Sequence, residues 1–108
     1  MEFTRLAVKG VMGSTVISSG ANVTLTEEQK AAQYIGITLS AASKTVTLGL
    51  PDGAVAIVVN EGGTNAFTLK NVSGDSGTSI AAGEAYLVRA STTANASKLT
   101  QLVAAGGK

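Results

Sequence analysis

Residues 44–60, KTVTLGLPDGAVAIVVN, hold the single proline of the chain and its densest apolar run. Proline fixes φ and has no amide proton, so it cannot sit inside a central strand. One strand must therefore stop before Pro51 and another start after it. Before the break, Val46, Leu48 and Leu50 alternate with Thr45, Thr47 and Gly49, the pattern of a half-exposed strand. Pro51 suits the second position of a β-turn, Asp52 can bond backbone amides, and Gly53 accepts positive φ. Residues 54–59 (AVAIVV) are apolar on both faces and belong in the middle of a sheet. The expected unit is a hairpin whose turn sets the register of 54–59 against Val46, Leu48 and Leu50.

The flanking chain continues in short pieces. Residues 22–25 read as a strand, followed by Thr26-Glu27-Glu28-Gln29. Thr and Gln at this spacing make a capping box, and Glu27 and Glu28 stand where a helix start favours negative charge. This predicts one short helix near residues 27–33. Residues 34–39, 66–70, 78–80, 85–90 and 99–103 alternate as strands, separated by Gly/Asp/Asn/Ser turns. No strand–long helix–strand pattern announces a parallel sheet, and no internal repeat stands out. The fold class that follows is all-β: a small antiparallel β-sandwich or barrel, jelly-roll-like. Residues 22–104 form its β domain. Residues 1–21 read as an extended N-terminal arm, because Gly10, Gly13, Ser14, Ser18, Ser19 and Gly20 leave it little core of its own. Residues 105–108 read as a loose tail.

At 108 residues the chain is one domain with one core. Its apolar residues are mostly small or aliphatic, and its aromatics are only Phe3, Tyr34, Phe67 and Tyr86. Such a core gains less burial per residue than an aromatic one, which predicts stabilisation by a partner surface in a homo-oligomer. The chain contains no histidine and no cysteine. That removes Ser-His-Asp and Cys-His catalysis, HExxH zinc sites, Cys-ligated metal and disulfides. Eight basic and seven acidic side chains are scattered along it. A nucleic-acid binder would show a basic stripe with stacking aromatics, so neither nucleic acid nor an anionic membrane is an expected partner. No window is long and apolar enough for a membrane span or a signal peptide, so synthesis in the cytoplasm is expected.

Local motifs have structural explanations. Gly74-Asp75-Ser76-Gly77 spells the string around a trypsin-like serine, but without a histidine base it reads as a turn. Asn22, Asn71 and Asn95 open glycosylation sequons, which a Ser/Thr/Asn-rich chain makes by chance. Glu27 and Glu28 fit a helix start, and Asp52, Glu61, Asp75 and Glu84 fall in turns. No catalytic pair, cofactor site or metal cluster is therefore assigned. Tyr34 and Tyr86 could form a sugar platform, though each also suits a half-buried core position.

Several segments in order resemble the small β domains of tailed-bacteriophage head-fibre and capsid-decoration proteins and related tail-fibre modules. They are Leu25-Thr26-Glu27-Glu28-Gln29 before Tyr34-Ile35, and Thr45-Val46-Thr47-Leu48 before Leu50-Pro51-Asp52-Gly53-Ala54. Then come Ile57-Val58-Val59-Asn60, and residues 80–88 (IAAGEAYLV). The resemblance spans residues 22–90. It implies a non-enzymatic virion protein on the outer capsid surface, often trimeric, with the major capsid protein as partner. In that reading the arm contacts the capsid or a neighbouring subunit through Phe3, Leu6, Val8, Val11, Met12, Val16 and Ile17. The alternative is a glycan- or receptor-binding module of a phage fibre.

Overall fold

The structure, a computed structural model, describes residues 13–104. These residues are mostly β. A five-stranded and a four-stranded sheet share one core, and neither sheet closes on itself. The strands in chain order are β1 (Ser14–Ser19), β2 (Val23–Thr24), β3 (Tyr34–Leu39), β4 (Lys44–Thr47), β5 (Val55–Asn60), β6 (Phe67–Lys70), β7 (Thr78–Ile80), β8 (Ala85–Arg89) and β9 (Lys98–Val103). The five-stranded sheet runs β1-β3-β5-β8-β9 and the four-stranded sheet β2-β4-β6-β7.

The expected antiparallel architecture is corrected here. From β1 to β6 the chain alternates between the two sheets, so each strand lands beside the strand two before it. The pairs β1·β3, β3·β5, β2·β4 and β4·β6 are all parallel. Only β5·β8, β6·β7 and β8·β9 are antiparallel. Parallel neighbours need a long crossover, commonly a helix. Here the crossover is a strand of the opposite sheet, so the winding carries no helical signature. It also creates a structural repeat that the sequence hides: Val23, Val46 and Leu69 stand side by side, as do Val16, Gly36 and Val59.

The break at Pro51 is accordingly a corner and not a hairpin. β4 lies in the four-stranded sheet and β5 in the five-stranded one. Leu48 and Gly49 still donate to the carbonyls of Lys70 and Asn71 alongside β6. The chain then turns, with the Ala54 amide bonded to the Pro51 carbonyl at 3.1 Å. That makes Pro51 the first turn residue, one position earlier than expected, with Gly53 third at φ +81°. β5 is the central strand of its sheet, as the apolar run predicts.

One helical turn, α1 (Glu27–Lys30), bears out the capping box. The Thr26 hydroxyl accepts from the Gln29 amide at 3.2 Å, and the Gln29 side chain accepts from the Thr26 amide at 2.9 Å. α1 stops short of the expected residue 33, ahead of β3. The core lies between the sheets, where Ile35, Ile37, Val58 and Val88 meet Val46, Leu48, Phe67 and Ile80. Each such side chain contributes about 1.5–3 kcal/mol on burial.

Residues read as an extended N-terminal arm are in part sheet. β1 pairs with β3 along its whole length, and Ile17 is 8% exposed within the core. The Ser-rich stretch still makes a strand because β3 offers an edge and Ile17 an inward anchor. Residues 1–12 and 105–108 lie outside the described residues.

Candidate interaction face

Strand alternation gives each sheet an inner and an outer side. On the five-stranded sheet, Ile17, Ile35, Ile37, Ala56, Val58 and Val88 point inward. The register then sets their neighbours in outward rows. One row is Val16–Gly36–Val59–Ala85–Val103, and the next is Ser14–Tyr34–Ile57–Leu87–Thr100. The large hydrophobic residues that stay exposed among those described are Val16 (65%), Val55 (52%), Leu102 (50%) and Val103 (43%). All four belong to this sheet, and Ile57, Val59 and Leu87 between them are half-buried. Residues 54–59 are thus apolar on both sides for two reasons: one side faces the core and the other faces outward.

Two charged features mark this face. Glu61 follows the inward Asn60 and folds back across the sheet. Its carboxylate occupies the space above Gly36, where any β-carbon would meet it at 2.5–2.7 Å. There it accepts a 2.5 Å hydrogen bond from the Tyr34 hydroxyl. That bond, with partial burial and the Glu61 charge, raises the Tyr34 phenol above its ordinary value. At the opposite end of the strands, Val55, Arg89 and Lys98 stand in one row. Arg89 and Lys98 are directly opposed and exposed, and like charges so placed repel.

The remaining polar groups hold the fold together. Asn60 and Asn71, both almost fully buried, are staples at the strand ends. The Asn60 amide nitrogen donates to the Asn65 and Ile80 carbonyls, and its oxygen accepts from the Gly62 amide. Asn71 donates to the Leu50 and Ser91 carbonyls and accepts from the Leu50 amide. Its nitrogen is thus fully used, which closes the Asn71 sequon in the folded chain. Asp75 accepts from the amides of Asn71, Val72 and Asn95. Burial pushes its carboxyl up, but these three amides and nearby Lys70 prevail and leave it lower than usual. The GDSG string is therefore a stapled turn. Asp52 accepts from the amide and hydroxyl of Thr92, which lowers its carboxyl as well.

A cleft of about 120 Å³ opens between Leu48, Leu69, Val88 and Leu99 beside Asp75. Ligand pockets run to roughly 300–1,000 Å³, so it is small for a sugar, and Asp75 is already engaged. Tyr34 and Tyr86 do not form a joint platform. Tyr34 lies in an outward row, whereas Tyr86 pairs with the inward Val58 and meets Gln101 at 3.2 Å. Among the described residues no group of three or more acidic, His or Cys side chains could hold a metal. Nor is any helix among them long and apolar enough to cross a membrane.

Of the arm residues singled out from sequence, Phe3, Leu6, Val8, Val11 and Met12 lie outside the described residues. Val16 and Ile17 part company: Val16 is on the outer face and Ile17 is in the core. Sequence reasoning missed Val55, Ile57, Val59 and Leu87 as surface residues, and missed the two asparagine staples. The strand endings Val-Val-Asn60 and Leu-Lys-Asn71 were the available signal. The chain matches no family model, no curated protein and no solved structure. The resemblance to phage virion modules therefore rests on the residues that suggested it.

Proposed function

We propose that this chain is a non-enzymatic structural protein of a tailed-phage particle, attached to the major capsid protein on the outer surface as a homo-oligomer. The observation that carries this reading is the apolar outer face of the five-stranded sheet. An exposed apolar surface of this kind, here interrupted by the Glu61 carboxylate over Gly36, marks contact with another protein. Two further points support it. The carboxylates Asp52, Asp75 and Glu84 are committed to hydrogen bonds within the chain, Glu84 through the Ala81 amide and Gln101. The resemblance over residues 22–90 points to the same class. In this reading the capsid is met by residues 1–12, with Val16 at the margin of the contact.

The test is co-sedimentation with capsids of the phage that encodes the chain. Removing residues 2–12 should abolish capsid binding and leave the β domain folded by circular dichroism. The cut must fall before Gly13, because β1 and its core residue Ile17 follow. Full-affinity binding by the truncated protein would refute the assignment of the arm.

A further inference from the structure

We propose that the free edge of β9 receives an extended peptide of another protein, one that sets an acidic side chain beside Lys98 and an aliphatic one beside Leu99. This edge is separate from the outer face of the sheet, and its occupant does not depend on the virion reading. Three features fix the chemistry of the occupant.

The first is the backbone. β9 ends its sheet, so alternate amides and carbonyls along it point away from β8. No other backbone group among the described residues bonds to them. Another extended backbone matches such a row, the mode in which a peptide adds a strand to a sheet. β9 is six residues long, whereas the edges at β2 and β7 offer two and three. The irregularity opposite Ala85 and Tyr86 falls at Leu102 and leaves Lys98–Gln101 in regular register.

The second is the space beneath the edge. β9 overhangs the core: Leu99 is half-buried, while Gln101 is exposed although it stands on the inner side. Next to Leu99 lies the cleft lined by Leu48, Leu69 and Val88, with Thr78 of β7 in its wall. The last strand of each sheet thus contributes to the cleft, which opens where a further strand would lie. Its volume of about 120 Å³ suits one aliphatic side chain, since an apolar cavity of ~150 Å³ admits benzene.

The third is charge. Arg89 and Lys98 are exposed and directly opposed, and they repel. Among the described residues no acidic side chain pairs with either; the ion pair there joins Lys30 to Glu27. An added strand extends the row by one residue, and an acidic one turns the repulsion into attraction. Because Lys98 and Leu99 are neighbours, the acidic and aliphatic residues of the occupant are neighbours as well.

Binding of the blocked peptide SITLES to the full chain, followed by amide NMR and hydrogen exchange, tests this. In antiparallel pairing its leucine and glutamate fall beside Leu99 and Lys98. Shifts should centre on β9 and the cleft, and β9 amides should gain protection. Serine in place of the peptide leucine should weaken binding at least about tenfold, and lysine in place of the glutamate about fivefold. Lys98→Glu should invert the preference between the glutamate and lysine peptides. Lys98 is exposed, and circular dichroism checks that the variant folds. N-methylation of one alternate set of peptide amides should abolish binding, and of the other set leave it nearly unchanged, because only one edge of the peptide meets β9. No binding at millimolar peptide, shifts centred elsewhere, equal effects of the two methylated sets, or indifference to the peptide's charge would overturn the proposal. So would β9 protection that rises with protein concentration in the absence of peptide, which would assign the edge to β9 of a second copy.

Discussion

The outer sides of the two sheets differ sharply although both sheets line the same core. Beyond the four-stranded sheet, the rows are Thr24–Thr47–Lys70 and Thr45–Thr68–Ser79. Beyond the five-stranded sheet they are rich in Val, Ile, Leu and Tyr. Both sets favour strands, since Thr, Val and Ile are all β-branched. Folding therefore does not demand the difference. A threonine satisfies the backbone geometry and keeps a hydroxyl in water, whereas an outward valine gains only when something covers it. The contrast teaches that the threonine side is finished in water, and it is the valine side on which the proposed contact rests.

The two sides are tied together at the corners, and the largest effect should come from cutting there. Asn71→Ala removes two buried hydrogen bonds and one partly buried one, and strands the Leu50 amide and the Leu50 and Ser91 carbonyls. Unsatisfied buried groups cost about 1–3 kcal/mol each, so a loss of roughly 3 kcal/mol or more is expected in chemical denaturation. Because Asn71 joins both sheets, hydrogen-exchange protection should fall in β4 and β5 alike. A loss confined to one sheet would break that part of the account.

Next come matched substitutions on the two outer sides. Val16→Asp with Val55→Asp should weaken self-association by at least about tenfold, given ~1.5–3 kcal/mol for each aliphatic side chain that is covered. Thr47→Asp with Thr68→Asp should leave association unchanged by sedimentation. Thr45, Thr47 and Thr68 changed together to Val should give the other sheet an apolar side and promote larger assemblies. Equal responses from the two sides would erase the distinction.

A smaller effect reads the carboxylate on the apolar side. Glu61→Gln should lower the Tyr34 phenol toward its ordinary value near 10, followed by ultraviolet titration. The raised phenol also implies that the Tyr34–Glu61 contribution is complete below that value and lost as pH climbs through the folded one. No drop in the phenol midpoint would mean that the contact does not persist in solution.

The smallest effect is expected in acid. Asp52 and Asp75 have folded carboxyls below the usual aspartate range. Their contribution is present above the unfolded value, near 4, and disappears as pH falls through the folded values. Stability should therefore decline below about pH 4, and Asp75→Asn should flatten part of that decline. Denaturation midpoints across pH 2–6 would check the slope.

Much of the strand layout was legible because alternation and turn residues are local signals. Val46/Leu48 against Thr45/Thr47, the Thr26–Gln29 box and the stop at Pro51 all act within a few residues. Pairing direction is not local: the alternation in Lys44–Thr47 is the same beside a parallel or an antiparallel neighbour. The crossovers here are strands of the opposite sheet, so the usual helical marker is missing. For the same reason Pro51-Asp52-Gly53 looked like a hairpin turn and is a corner between layers. Asn60 and Asn71 were hidden because asparagine is ordinary in turns, and only the fold buries them. The outward position of Val55, Ile57 and Val59 was not legible because periodicity cannot separate an apolar side that meets the core from one that faces outward. Ile17 was misplaced because the Gly/Ser content around it masked a single inward anchor.

The central claim is that the apolar side of the five-stranded sheet is a contact surface and the threonine side is not. Methyl-detected NMR on a dilution series tests it most directly. Concentration-dependent shifts should be confined to Val16, Val55, Ile57, Val59, Leu87 and Val103, with the γ-methyls of Thr45, Thr47 and Thr68 unchanged. Shifts centred on the threonine rows, or no concentration dependence on either side, would contradict it.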